Sequence, residues 1–393
     1  MLTPEEMDVF PLLIERLFRG LQEDIILNIC RRIKASGAMT ESALHQIRQL
    51  QAMGYEVDYI ETRIKEVTEV STRQLNKLYE EAIERNNAFN RNISTKLDLL
   101  PEPQSTKLLT EQLVVIRKMT EDNLYNITQS MGFREIINGQ TRWLPVAEFY
   151  QNQLDKAFIQ VSTGGMDYNT AIRNIVDEMV DSGLRTVEFE SGRTQRIDVV
   201  ARRAVLTGLN QASAVQTESA MKEFGTDLVE VSAHQGARDT GDGPENHKAW
   251  QGKVYSFSGN RTDYPSLVAV TGYGTGEGLQ GWNCRHSFFA FIEDFSTRVY
   301  TDEQLKNIDS EPFKWRGKEY SAYEATQTQR KYESAIRDQK LKIVATQEAG
   351  LLENITVEKM KLTKLKNDYV EFSGVAGLKL QNERLRIPKG LRV

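Results

Sequence analysis

Cysteine is nearly absent: the 393 residues contain only Cys30 and Cys284, far apart along the chain. They cannot make the disulfide framework of a small secreted domain, and the pattern fits a chain folding in a reducing cytoplasm. No apolar run approaches the roughly 18 residues needed to span a bilayer. The opening Met1-Leu2-Thr3-Pro4-Glu5-Glu6 lacks the basic stretch of a secretory signal. A soluble protein is therefore expected. Charge of a single sign is missing too: 50 basic side chains face 55 acidic ones, a net charge of −5. That excludes a surface committed as a whole to nucleic acid or membrane, so any such role is local. What is present is an ordinary globular composition, 39% apolar with 26 glycines, over a length equal to roughly two or three domains. Disorder as the dominant state is excluded.

From Thr3 to about Gly225 the pattern is helical. It opens with Thr3 as N-cap, Pro4 in the first turn and two acids facing the positive dipole end. Apolar steps of three and four at Val57, Ile60, Ile64 and Val67 continue through Leu75, Leu78 and Ile83 and predict a long amphipathic helix. Leu100-Pro101-Glu102-Pro103 removes two backbone donors and marks a linker or helix corner. Helical segments are expected near 108–123, 144–161 and 169–180. A small hairpin is expected near 187–197, followed by an Ala-rich helix over 198–224. At Asp227 the texture changes to strand-like alternation in Leu228–Ala233 and then to Gly, Asn, Asp and aromatic residues, with further strands at 253–257 and 287–292. After Thr301 helices return, notably over 323–347. The reading is thus an α+β fold, mostly α. It divides into an N-terminal helical region (1–100), a second helical region (101–226), a small glycine-rich α+β domain (227–300) and C-terminal helices with a basic tail (301–393). From Val357 onward nine basic side chains face four acidic ones, a local +5. Such a tail suits phosphate or an acidic partner, and equally a solvated helix face.

The chemistry-bearing residues concentrate in the glycine-rich stretch. His247, Cys284 and His286, with His234 as a further candidate, are the residue types that bind structural zinc. Cys284 and His286, two positions apart, would share one face of a strand. The competing reading is a buried cysteine among hydrogen-bonding histidines. Asp242 and Glu245 beside His247 suggest a metal nuclease but also suit turns. Glu188-Phe189-Glu190 matches the acid pair of ADP-ribose transferases, and equally a solvated hairpin. Gly276-Glu277-Gly278-Leu279-Gln280-Gly281 satisfies a dinucleotide fingerprint in form only, since it opens no helix after a strand. Cys30 reads as core, and His45 as a surface or helix-packing residue.

Several blocks together carry a resemblance. They are Ser232–Arg238, then Asn246-His247-x-x-Trp250-Gln251-Gly252-Lys253, then Gly278-Leu279-x-Gly281-Trp282-Asn283-Cys284-Arg285-His286, and a helix bearing Gln327, Gln329, Arg330, Glu333, Ile336, Arg337 and Lys340. In these the sequence resembles the phage minor capsid protein family, related to the phage Mu F-like head morphogenesis proteins. The pattern departs at Ala290 and Glu293, where the family usually has a proline and then a glycine. The resemblance marks Trp250, Gly252, Gly281, Trp282, Asn283, Arg285, Gln329, Arg330 and Arg337 as motif positions. It implies a structural, non-enzymatic head component of a tailed phage, assembled in the host cytoplasm and located in the virion near the portal or the capsid interior. Its implied partners are the portal and other capsid proteins, with packaged DNA reached through the basic tail and no membrane during assembly. The alternatives are a virion-borne ADP-ribosyltransferase or nuclease, or a DNA-binding module. Two packing expectations accompany this: Trp250 and Trp282 in the core of the α+β domain, and the Ile336 face of the 323–340 helix packed back on that domain.

Overall fold

The computed structural model describes residues 2–37, 58–99, 103–137, 140–163, 165–187 and 193–387. With 62% helix and 10% strand it is a mostly helical α+β protein. Helix α1 (Pro4–Val9) starts as the sequence predicts: the Thr3 side chain accepts from the Glu6 N–H and the Glu6 carboxylate accepts from the Thr3 N–H. Pro11, which has no N–H to give, separates it from α2 (Leu12–Gly37). Helices α3 (Asp58–Lys96) and α4 (Pro103–Gln129) lie on either side of the expected corner, whose residues 100–102 are outside the described residues.

Between α4 and α5 (Val146–Ser162) the chain departs from the helical expectation. Strands β1 (Met131–Ile137) and β2 (Gln140–Pro145) pair antiparallel, Ile137 opposite Gln140. The signal was in the sequence: alternating apolar residues flank Asn138-Gly139, the dipeptide that favours two-residue hairpin turns. Helix α6 (Tyr168–Ser182) leads to the expected hairpin, β3 (Arg185–Val187) against β4 (Thr194–Arg196), and the four strands form one sheet in the order β2-β1-β3-β4. Glu188 and Glu190, like His45, fall outside the described residues.

Helix α7 (Ile197–Phe224) is the axis of the molecule. Its first half, through Ala201, Val205, Leu206 and Leu209, enters a large apolar core shared with α2, α3, α4 and α6. Its second half, through Ala214 and Met221, enters the core of the α+β unit. A helix buried on opposite sides has no single apolar stripe, which is why its alanines rather than a helical periodicity mark it in sequence. The α+β unit is a three-stranded antiparallel sheet in the order β6-β5-β7, with β5 (Leu228–Val231) between β6 (Val254–Ser256) and β7 (Phe288–Phe291). Short helices α8 (His247–Trp250) and α9 (Leu267–Thr271) lie in its loops, and α10 (Asp302–Lys306) follows it. A hairpin of β8 (Phe313–Trp315) and β9 (Lys318–Tyr320) then meets α11 (Ala322–Glu348) and α12 (Ile355–Val375) around Phe372.

Both packing expectations need correction in part. Trp250 is buried, its indole N–H donating to the Pro244 carbonyl, but Trp282 is 55% exposed. Its ring rests over Gly276, where a Cβ would lie 2.7 Å from it, so the indole covers backbone at the surface instead of filling the core. Ile336 is fully buried, but α11 packs mainly on α12, α2 and α6 and meets the α+β unit near its first turns, where Thr326 touches Gly236. The face that α11 turns toward that unit is polar, for a reason given below.

Gly208 tests the packing of α7. A Cβ there would lie 2.1 Å from Thr120 Oγ1 and 2.2 Å from Tyr79 Oη, two buried hydroxyls hydrogen-bonded to each other at 2.7 Å. Alanine gains about 1 kcal/mol of helix propensity. Overpacking and a broken buried hydrogen bond cost more, on the order of 2–4 kcal/mol. Gly208→Ala is expected to lower the urea midpoint, and an unchanged or raised midpoint would refute this packing.

Candidate functional site

The loop that carries the densest motif is shaped by glycines at close backbone approaches. A Cβ on Gly281 would lie 2.4 Å from the Gly276 carbonyl and 2.5 Å from that of Thr275, so no larger residue fits. Gly252 has φ +68° and faces Leu305. Asn283 takes a positive φ of 57°, which asparagine tolerates better than most residues. Downstream, Cys284 and His286 precede β7 as irregular chain and do not sit on a strand. The Asn210 amide on α7 donates to the Cys284 carbonyl at 2.8 Å, holding this segment to the central helix.

Here His247, Cys284 and His286 come together, one ligand atom of each within 4.8 Å of the others, all three buried. His234 stacks on His286 at 4.4 Å between ring centroids. Hydrogen bonding assigns the protons. Gln251 Oε1 accepts the His234 backbone N–H at 3.0 Å, so the His286 Nε2 that lies 3.0 Å from it also carries a hydrogen. That leaves His286 Nδ1 as an acceptor, 3.5 Å from Cys284 Sγ. His247 Nε2 faces the Glu277 carbonyl at 2.9 Å and donates to it. Burial pushes His247 down to about 4 and His286 well below the usual histidine range. Burial, with Arg285 beside it, takes His234 to about 3. Burial also lifts the Cys284 thiol to about 11. At neutral pH the cluster is uncharged. The trio offers three metal ligands, and no fourth His, Cys, Asp or Glu completes the set among the described residues.

Among the described residues no metal-holding cluster joins Asp242 or Glu245 to His247. The Glu245 carboxylate turns onto the Gly243 N–H, as a turn former does, and the Gly276–Gly281 segment closes on itself through the Trp282 N–H to the Gly276 carbonyl.

Beside the histidines lies a polar cavity of about 360 Å³ between α7, α11 and the α+β unit. Helix α11 lines it with Tyr323, Gln327, Arg330, Ser334 and Arg337, steps of four, three, four and three that trace one helix face. This is the polar face noted above. Arg202 on α7, Arg238 and Arg285 from the α+β unit and Arg384 near the C-terminus add four more guanidinium groups. Asp8 on α1 ties several of them: its Oδ1 accepts from Arg202 at 2.7 Å and Arg330 at 3.0 Å, and its Oδ2 accepts from Arg384. Burial alone would raise the Asp8 carboxyl, but Arg330, Arg202 and Arg384 hold it well below the usual carboxylate range. Of the motif residues, Arg285, Arg330, Arg337 and Asn283 line the cavity, while Gln329 instead donates to Ser373 on α12. The arginine constellation was missed from sequence. Its only trace was the polar spacing on α11.

The phage minor capsid protein 2 family matches residues 2–372, nearly the whole chain. The chain belongs to this family. A structural protein of Lactococcus phage LL-H is 24% identical over 354 residues, covering 87% of this chain and 88% of the relative. No solved structure matches. As a minor capsid protein 2 the chain has a structural role in a phage particle. No helix among the described residues is long and apolar enough to cross a membrane.

The depressed histidines give this minor capsid protein a defined acid response. A folded-state value below the unfolded one means stability is complete above about pH 6.5 and falls as the pH drops, because only the unfolded chain takes up the proton. For His247 the window runs from about 6.5 down to about 4. Glu23, pushed up to about 9 by burial and Asp24, works in the opposite direction, so the informative quantity is a difference between variants. Between pH 6 and 5, His247→Gln is expected to lose stability less steeply than wild type, by about 1.4 kcal/mol per pH unit. Parallel urea-midpoint profiles for the two would show that His247 is not held neutral.

Proposed function

We propose that this chain is a head component that joins other capsid proteins in the interior of the particle or at its portal vertex. The observation that supports the reading best is an uncovered apolar surface on α4. Leu108, Val115, Met119 and Tyr125 are each more than half exposed on a helix whose other side enters the main core through Leu113, Leu124 and Ile127. A soluble monomer rarely leaves such a row open, whereas a subunit that docks against another chain needs one. The basic tail lends less support to a DNA contact than its net charge suggests. Among the described residues Arg384 is spent on Asp8, Lys361 on Glu358 and Arg386 on Glu383, which leaves Lys359, Lys364, Lys366 and Lys379 at the surface, with Lys389 and Arg392 outside the described residues. Membership of a structural phage family supports a non-enzymatic role; Glu188 and Glu190, the acid pair of the transferase reading, lie outside the described residues.

The Cys/His trio serves this role as a buried hydrogen-bonded staple between the β5 and β7 ends and α8. Zinc is the alternative. The raised Cys284 thiol, the hydrogen bonds that occupy Nε2 of His247 and His286, and the neighbouring cations Arg238 and Arg285, which repel a metal ion, favour the staple. Protein produced with zinc in the medium and analysed by elemental mass spectrometry is expected to carry far less than one equivalent. Stoichiometric zinc that disappears in Cys284→Ser would establish the metal site instead.

For the head-component reading, quantitative mass spectrometry of purified virions and DNA-free proheads is expected to find the protein in both at a fixed low copy number. Absence from both particles would sink the reading. After cross-linking, pairs from α4 to the portal would support the portal vertex, and pairs confined to the major capsid protein would move the proposal to the shell.

A further inference from the structure

The charges around the cavity do not balance. Arg19, Arg196, Arg202, Arg330 and Arg384 are matched by five carboxylates, those of Asp8, Glu15, Asp198, Glu333 and Asp338, in a connected set of ion pairs. The remaining three, Arg238, Arg285 and Arg337, all line the cavity, and among the described residues none has a carboxylate within ion-pair distance. Arg238 donates only to the carbonyls of Glu277 and Trp282, and Arg337 to the Arg384 carbonyl and the Ser334 hydroxyl. Arg285 reaches only His234 Nδ1, at 3.2 Å, a nitrogen that also lies 2.9 Å from the Gln235 carbonyl and so cannot serve both. Asp198, Asp338 and Glu333 act on Arg337 only from beyond ion-pair distance, and burial with Asp24 pushes the nearby Glu23 carboxyl up to about 9. The Nε atoms of Arg337 and Arg384 are buried with no hydrogen-bond partner. Unmatched guanidinium groups and orphaned donors around one space are costly unless something negative enters it.

We propose that this cavity binds an oligophosphate, a chain of linked phosphate groups either free or carried by a nucleotide or nucleic-acid end, held by Arg238, Arg285 and Arg337. Guanidinium forks match phosphate oxygens in pairs, which suits this ligand class better than a simple halide. Extent argues for more than one phosphate: the three groups come from three separate segments of the chain, and the cavity-lining face of α11 runs from Tyr323 to Arg337, about 20 Å along the helix. The inference is independent of where in the particle the protein sits. It assigns the motif positions Arg285 and Arg337 to ligand binding and gives the polar stripe of α11 a purpose.

The test uses the full chain at constant ionic strength, with tripolyphosphate as probe and calorimetry plus thermal melting as readouts. Tripolyphosphate is expected to bind saturably and raise the melting temperature. Arg285→Gln and Arg337→Gln are each expected to weaken binding by about tenfold or more. Without ligand, Arg285→Gln is expected to melt at or above the wild-type temperature, because it removes an unmatched cation; this separates a binding role from a purely structural one. Lys364→Gln, on the exposed side of α12, should change nothing. ATP acting like tripolyphosphate points to a free or nucleotide-borne chain, and a 5′-triphosphorylated oligonucleotide binding more tightly than tripolyphosphate, with its unphosphorylated counterpart inert, points to a nucleic-acid end; no binding of tripolyphosphate would overturn the proposal. Non-saturable effects, equal effects of sulfate and tripolyphosphate, or unchanged affinity in both arginine variants would overturn the proposal.

Discussion

The carboxylate of Asp8 holds together parts of the chain that are otherwise strangers. It binds Arg202 of the central helix, Arg330 of α11 and Arg384, 376 residues away, and so ties both ends of the protein across its middle. A carboxylate this deeply placed is costly by itself, and so are the arginines; each makes the others tolerable. Removing the one acid would leave three guanidinium groups facing each other across a partly enclosed space. The short α1 helix, with its capping box and the break at Pro11, is the device that delivers Asp8 to that point.

The central helix α7 links this ion-pair system to the rest. Its flanks enter two different apolar cores, and its Asn210 holds the Cys284 segment from which both His286 and Arg285 project. The histidine cluster and the arginine cavity are therefore neighbours with opposite electrostatics. Burial and the adjacent cations keep the imidazoles neutral, and the neutral imidazoles do nothing to compensate the cations. A cation-rich wall suits an anion far better than a metal ion. Here the polar interior is the unusual feature, because nothing in assembly alone requires three unmatched arginines.

Much of the architecture is legible in local patterns because local physics sets it. The Thr3 cap, the long helices, the hairpin beginning at Arg185 and the strands at Leu228 and Phe288 follow from capping, periodicity and alternation within a few residues. Asn138-Gly139 was an equally local signal, overlooked inside a stretch dominated by helical texture. The closeness of His247, Cys284 and His286 was also foreseeable, since the two sequence blocks holding them belong to one small sheet. Trp282 was misplaced because an aromatic residue between glycines looks like core, and only the close approach of two backbones shows that no space remained beneath the ring.

By itself, then, the sequence made legible most of the helices, the α+β texture, the absence of a disulfide framework and the family from neighbours in the chain, while the β1–β2 and β8–β9 hairpins were read only from the structure. Tertiary structure alone decided which face of α11 meets a cavity, which arginines find carboxylates and which do not. The reason is the range of the interaction. Ion pairs here join positions up to 376 residues apart, and whether a guanidinium is matched depends on where every other charge has been brought, which no local pattern encodes.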